Sequence, residues 1–337
     1  TSAIMIVPGL LLLFSLIFAA NVVQGQQDSR LRRIFNWLLV LFNLPAFFAG
    51  ISFLLVSPDQ LAEAGLSDGF TEPKTAGLVL LLTAVWGLLV TLPELRRWFA
   101  HWMPIDPEAP VHTLALMLSG YLAANGLLPL SQGGLEGLLE TAEATSSLEV
   151  AAGELLLLAV ALAGVGLFVR RDLWKAVDRL GLERPTLRQI GRGLRWLPVL
   201  LVLMLVANFF LAQADPQQAE VMEELNDLLL GEIDSVGDWL LLAVAAGIGE
   251  EILFRGALQP VLGIWVTSLL FAIVHTQYGL SVATVLIFIV GYVLGIIRRR
   301  QNTTVAILLH AAYNFLLGLG ALLAPMLEEA AAWLPWW

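Results

Sequence analysis

The sequence predicts an all-α, polytopic membrane protein of about ten membrane-crossing helices. Composition is the first reason: 58% of the 337 residues are hydrophobic and only 14% are charged, against about 25% charged in an ordinary globular domain. The second is the recurrence of apolar runs near the length that a helix needs to cross a bilayer, about 20 residues for a ~30 Å hydrocarbon core. The third is charge order. Of the 18 Lys and Arg, all but Lys74 lie in or at the edge of alternate loops, and acidic residues border the other loops. The positive-inside rule then puts the basic loops in the cytoplasm and both termini outside a cell membrane. The net charge of −10 follows from this topology, and the basic residues need no nucleic-acid partner to explain them. The absence of cysteine excludes disulfides, thiolate catalysis and Cys-ligated metal centres.

Each element follows from the same two signals. The run from Ala3 to Ala20 lacks a basic leader and a small-residue cleavage pattern, so it reads as a span rather than a signal peptide. Arg30, Arg32 and Arg33 hold the next loop inside, followed by a span from Ile34 to Val56. A third span, Ala76 to Leu92, descends to Arg96 and Arg97. A fourth, Val111 to Leu130, returns to an acidic, Gly-rich outer segment, to whose acids Glu154 is assigned. The fifth, Val150 to Val169, ends at Arg170-Arg171 and opens the most basic segment of the chain. There Leu173, Trp174, Val177 and Leu180 recur at helical period, which predicts an amphipathic helix on the anionic leaflet. A sixth span covers Trp196 to Ala212, and an outer amphipathic stretch carries Val221, Met222, Leu225, Leu228 and Leu229. Spans seven (Trp239 to Val261), eight (Ile264 to His275), nine (Val282 to Ile297) and ten (Thr304 to Leu323) complete the set. The eighth, at twelve residues, is short enough to be re-entrant or broken. The tail Trp333-Leu334-Pro335-Trp336-Trp337 reads as an interfacial anchor. Gly65-Leu66-Ser67-Asp68-Gly69 has the spelling of a serine-hydrolase elbow but no strand before it, so it carries no weight.

One stretch stands out against this apolar background: Gly249-Glu250-Glu251-Ile252-Leu253-Phe254-Arg255 puts three ionisable residues inside a span. Each would cost about 2.5–3.5 kcal/mol unpaired, so such residues mark function by default. Glu251 and Arg255 are i,i+4 neighbours in the favourable order. Glu250 points about 100° away and needs partners from other helices, for which the apolar spans downstream offer His275, His310 and Asn314. At ~1.5 Å rise per residue, Glu250 lies about 8 Å, His310 about 15 Å and His275 about 18 Å deep. All can meet in one water-filled chamber. Phe271 shares a face with His275, and His310 with Asn314.

The ordered set Glu250-Glu251-x-x-x-Arg255, Phe271-x-x-x-His275 and His310-x-x-x-Asn314 resembles the CAAX prenyl protease and bacteriocin-processing family of intramembrane proteases. The resemblance spans roughly residues 186–323. It implies peptide-bond hydrolysis, with Glu250 activating water, His275 assisting, and His310 with Asn314 holding the oxyanion; Glu251 and Arg255 act as a brace. The expected division is a membrane module of unknown role over 1–171 and a catalytic helix bundle over 172–337. No cofactor is expected. The chemical rival is a zinc ion held by Glu250, His275 and His310, since a His₂Glu set with water is a competent hydrolytic site. The expected partners are membrane lipids and a peptide or membrane-protein substrate, lipidated or not. A scaffold, an immunity protein or a transporter using the same polar cluster is the non-enzymatic alternative; a transporter would carry ionisable residues in both halves.

Overall fold

The computed structural model describes residues 2–26, 28–57, 60, 63 and 71–332. The Gly65–Gly69 stretch and the C-terminal tryptophans lie outside the described residues. Among those described there are helices and no β-strand, and nine helical runs are long and apolar enough to cross a membrane. The N-terminal half comprises α1 (Ser2–Gln26), α2 (Ser29–Leu55), α3 (Pro73–Val90), α4 (Pro93–Phe99), α5 (Pro110–Leu130), α6 (Gly134–Thr141) and α7 (Ser147–Gly164). Two short helices follow, α8 (Leu173–Arg179) and α9 (Leu187–Leu194), then α10 (Leu197–Ala214) and α11 (Pro216–Leu230). The C-terminal bundle is α12 (Val236–Glu251), a π-helical segment (Ile252–Leu258), α13 (Gln259–Ile273), a 3₁₀ turn (Thr276–Tyr278), α14 (Val282–Arg300) and α15 (Thr303–Ala332). The protein is a multi-pass, all-α membrane protein.

The helix starts are written in the sequence. Ser146 and Glu149 form a capping box at α7, Thr186 and Gln189 one at α9, and Ser235 caps α12 through the Asp238 amide. Each cap satisfies amides that the first turn leaves open. In place of one amphipathic helix over the basic segment, the structure has α8 and α9 separated by Gly181, whose φ is +70°. Ala176 and Leu180 face inward there, while Leu173 and Trp174 are exposed. Leu180 and Gly181 accept hydrogen bonds from Thr303 Oγ1 and N, which ties this segment to the start of α15.

Spans seven and eight meet at Gly263, between the bounds that the sequence assigns to them. Residues 236–273 are helical on both sides of Gly263, and the Phe254 and Phe271 rings lie 5.3 Å apart, where a straight helix would separate them by about 25 Å. The chain folds back at Gly263 (φ 81°, ψ 166°), a conformation open to glycine and costly for other residues. The run is therefore a helical hairpin. Its second arm is short, ending at Ile273, so His275 sits beyond the helix as the residue before the 3₁₀ turn. Pro260 removes an amide near the bend, and the Gly256 carbonyl accepts instead from Arg179 Nη1 at 3.1 Å. The Gly291-x-x-x-Gly295 face of α14 receives this arm: Phe271 lies against Gly291 and Ile264 against Gly295, the close approach that small residues permit.

The largest buried apolar cluster draws on both halves of the chain, from Leu16, Leu39, Met117 and Ala161 to Phe254, Leu262 and Phe271. Helix α7 packs on α12 and on the π segment, and α12 packs on α15. Asn36 and Asn43 bridge separate segments, Asn36 to the Thr91 carbonyl and Asn43 to Tyr121 and Met117. Asn208 is exposed and its amide donates to Met204 Sδ on its own helix.

Candidate active site

The site is assembled where the end of α12 enters the π segment. A π turn holds one more residue than an α turn and is recurrent at functional sites. Here it starts directly after Glu251, so the Glu-Glu pair and Arg255 occupy a locally widened helix. Glu251 Oε2 pairs with Arg255 Nε at 3.2 Å, both side chains fully buried. The Arg255 guanidinium lies over the Phe271 ring, 4.7 Å from its centroid, a cation–π contact strengthened by the absence of water. Phe271 thus brings α13 to the charge pair.

Helix α15 supplies the imidazole. His310 Nδ1 lies 3.1 Å from Glu251 Oε1 and His310 Nε2 lies 3.9 Å from Glu250 Oε2. Glu251 therefore bridges Arg255 and His310, more than the local brace the spacing suggested. With Nδ1–H donating to Glu251, the ring is oriented so that Nε2 faces Glu250. Gly247 makes this approach close: a side chain there would press on Ala311 and the Ile307 carbonyl. The two carboxylates differ in access. Glu250 keeps 16% of its side-chain exposure, whereas Glu251 keeps none. Only Glu250 is open to a reactant.

His275 is positioned from its own helix end. Its Nδ1 lies 2.7 Å from the Phe271 carbonyl, its ring 4.6 Å from Phe271 and 6.4 Å from Tyr278. Phe271 also meets the His310 ring edge-on at 5.9 Å. Glu250, Glu251, Arg255, Phe271, His275 and His310 thus form one connected cluster. Asn314, half-buried one turn beyond His310, enters none of these contacts. Among the described residues, no group of three or more His, Asp or Glu could hold a metal ion. Two clefts of about 360 and 320 Å³, one lined by Arg192, Arg195, Trp196 and Arg300 and the other by Arg32, Asn36 and Arg96, lie elsewhere.

One acidic residue was misassigned from the sequence. Glu154 is not part of the outer acidic set but stands midway along α7, against Gly249, where an added Cβ would collide with its carboxylate. Its signal was present, since an acid sits among Leu, Ala and Gly inside span five, but Glu149 and Glu143 nearby drew it into the loop.

Fold and cluster together define a polytopic helical membrane protein with a buried carboxylate–imidazole site. The family model described as Type II CAAX prenyl endopeptidase Rce1-like matches residues 232–316, from just before α12 through His310 and Asn314. Over these residues the chain is similar to the CAAX-type proteases that the family model describes. Comparison with curated proteins and with solved structures finds no match.

Proposed function

We propose that the chain is a glutamate-type intramembrane endopeptidase in which Glu250 activates water. The observation that carries this reading is the pairing of the accessible Glu250 carboxylate with His310 Nε2 at 3.9 Å, while Glu251 holds the other ring nitrogen at 3.1 Å. Glu250 takes a proton from water as its oxygen bonds to the scissile carbonyl carbon. The oxyanion is assigned to N–H donors of His310 and Asn314, which count for more in a site largely closed to water. Collapse breaks the C–N bond, and the proton passes from Glu250 to the leaving amine, with His275 assisting. Arg255 acts through Glu251, fixing the imidazole. The substrate class is a membrane-associated peptide, with a prenylated CAAX terminus the first to test given the matched family's name. Helices 1–171 and 172–337 act together as one membrane-embedded enzyme, with basic loops inside and both termini outside the cell membrane.

The test is cleavage of a prenylated CAAX peptide by the full chain in lipid nanodiscs, before and after exhaustive chelation. Retained hydrolysis supports the glutamate reading. Loss on chelation, restored by zinc with one zinc per chain, would overturn it in favour of Glu250, His275 and His310 as ligands.

A further inference from the structure

Glu154 belongs to the helices before the family match, and the mechanism above does not use it. Its Oε2 is buried with no hydrogen-bond partner, and so is Oε2 of Glu250. The two carboxyl groups are close enough to interact electrostatically. The approach is built: Gly249 immediately precedes Glu250, and its missing side chain lets Glu154 lie against α12. Glu250 has His310 Nε2 beside it and feels the Arg255 charge. No ion pair to Glu154 occurs among the described residues. Two carboxyl oxygens buried without partners are both satisfied by one proton held between them. The Arg255 guanidinium, paired with Glu251 next to Glu250, favours the proton on Glu154.

We infer that Glu154 is a positioning residue of the active site, a neutral carboxyl that donates its O–H to the Glu250 carboxylate, directly or through one water. That hydrogen bond satisfies both orphaned oxygens at once. It leaves Glu250 ionised as the proton acceptor and fixes which of its oxygens faces the substrate. The N-terminal helices then have a stated role, because α7 completes a site whose other members lie in the C-terminal bundle. The catalytic part of this inference rests on Glu250 being the base, whereas the shared proton does not.

Infrared difference spectroscopy of the full chain in nanodiscs separates the two. At neutral pH the wild type should show a protonated-carboxyl C=O stretch that is lost in Glu154→Gln. In Glu250→Gln the band should persist at a shifted frequency, since its acceptor has changed from carboxylate to amide. An unchanged band in both variants overturns the proton sharing, whatever the activity. On a cleaved peptide, Glu154→Gln should lower kcat by tenfold or more with KM within about twofold and the melting temperature held; an unchanged kcat overturns the positioning role. Loss of the band together with an inactive wild type would instead sink the peptidase reading and leave the carboxyl pair intact. Should Glu154→Gln not fold, the shift in Glu250→Gln decides alone.

Discussion

Replacing Arg255 by Ala removes the partner of a fully buried carboxylate and thereby tests how the site is held. Arg255 Nε lies 3.2 Å from Glu251 Oε2 with both side chains at zero exposure, and breaking such a pair costs about 3–5 kcal/mol. Loss of the contact with Phe271 at 4.7 Å adds about 1–2 kcal/mol. Reversible SDS unfolding in mixed micelles should show a loss of about 4–7 kcal/mol from the two together, and Glu251→Gln added to Arg255→Ala should restore most of the part that belongs to the stranded carboxylate. A loss no larger than that of the ring contact alone, with no rescue by the second change, would refute the buried-pair argument.

Gly263→Ala meets only Pro104 at 3.4 Å, so space is available, but its φ of 81° is retained; the backbone alone should cost about 1–3 kcal/mol, read as a lower unfolding midpoint and a loosened α13. Cysteines placed at Ser29 and Ser146 should label from opposite faces of the membrane, and labelling from the same face would reverse the orientation argument. Gly247→Ala should press α12 from α15 and reduce hydrolysis more than stability, measured as kcat against the unfolding midpoint, because it moves His310 relative to Glu250.

The sequence made the fold class plain because bilayer thickness forces apolar runs of fixed length, and charge alternates across them. It also exposed Glu250, Glu251, Arg255, His275 and His310, since ionisable groups are rare in such runs. The reversal between spans seven and eight at Gly263 was legible as the gap between two apolar runs; how the short second arm seats on Gly291 and Gly295 depends on tertiary packing against α14. The π segment is hard to read locally, because Gly256 and the following Pro260 weaken an α-helix without specifying the wider turn that replaces it. Glu154 stands among Leu, Ala and Gly inside span five, which marks it locally, but the Gly249 that it packs against lies far along the chain, so no local pattern joins the two. The helical period over Leu173–Leu180 predicts one apolar stripe on the leaflet; Leu173 and Trp174 are exposed as that stripe requires, whereas Leu180, with Ala176, is buried against the bundle.

The most direct measurement of the central claim is the turnover of Glu250→Gln on a peptide that the wild type cleaves. The amide keeps the volume and removes the base, so kcat should fall by a factor of about 10² to 10⁴ while the unfolding midpoint stays near that of the wild type. A variant that folds normally and retains wild-type turnover would contradict the assignment of Glu250 as the residue that activates water.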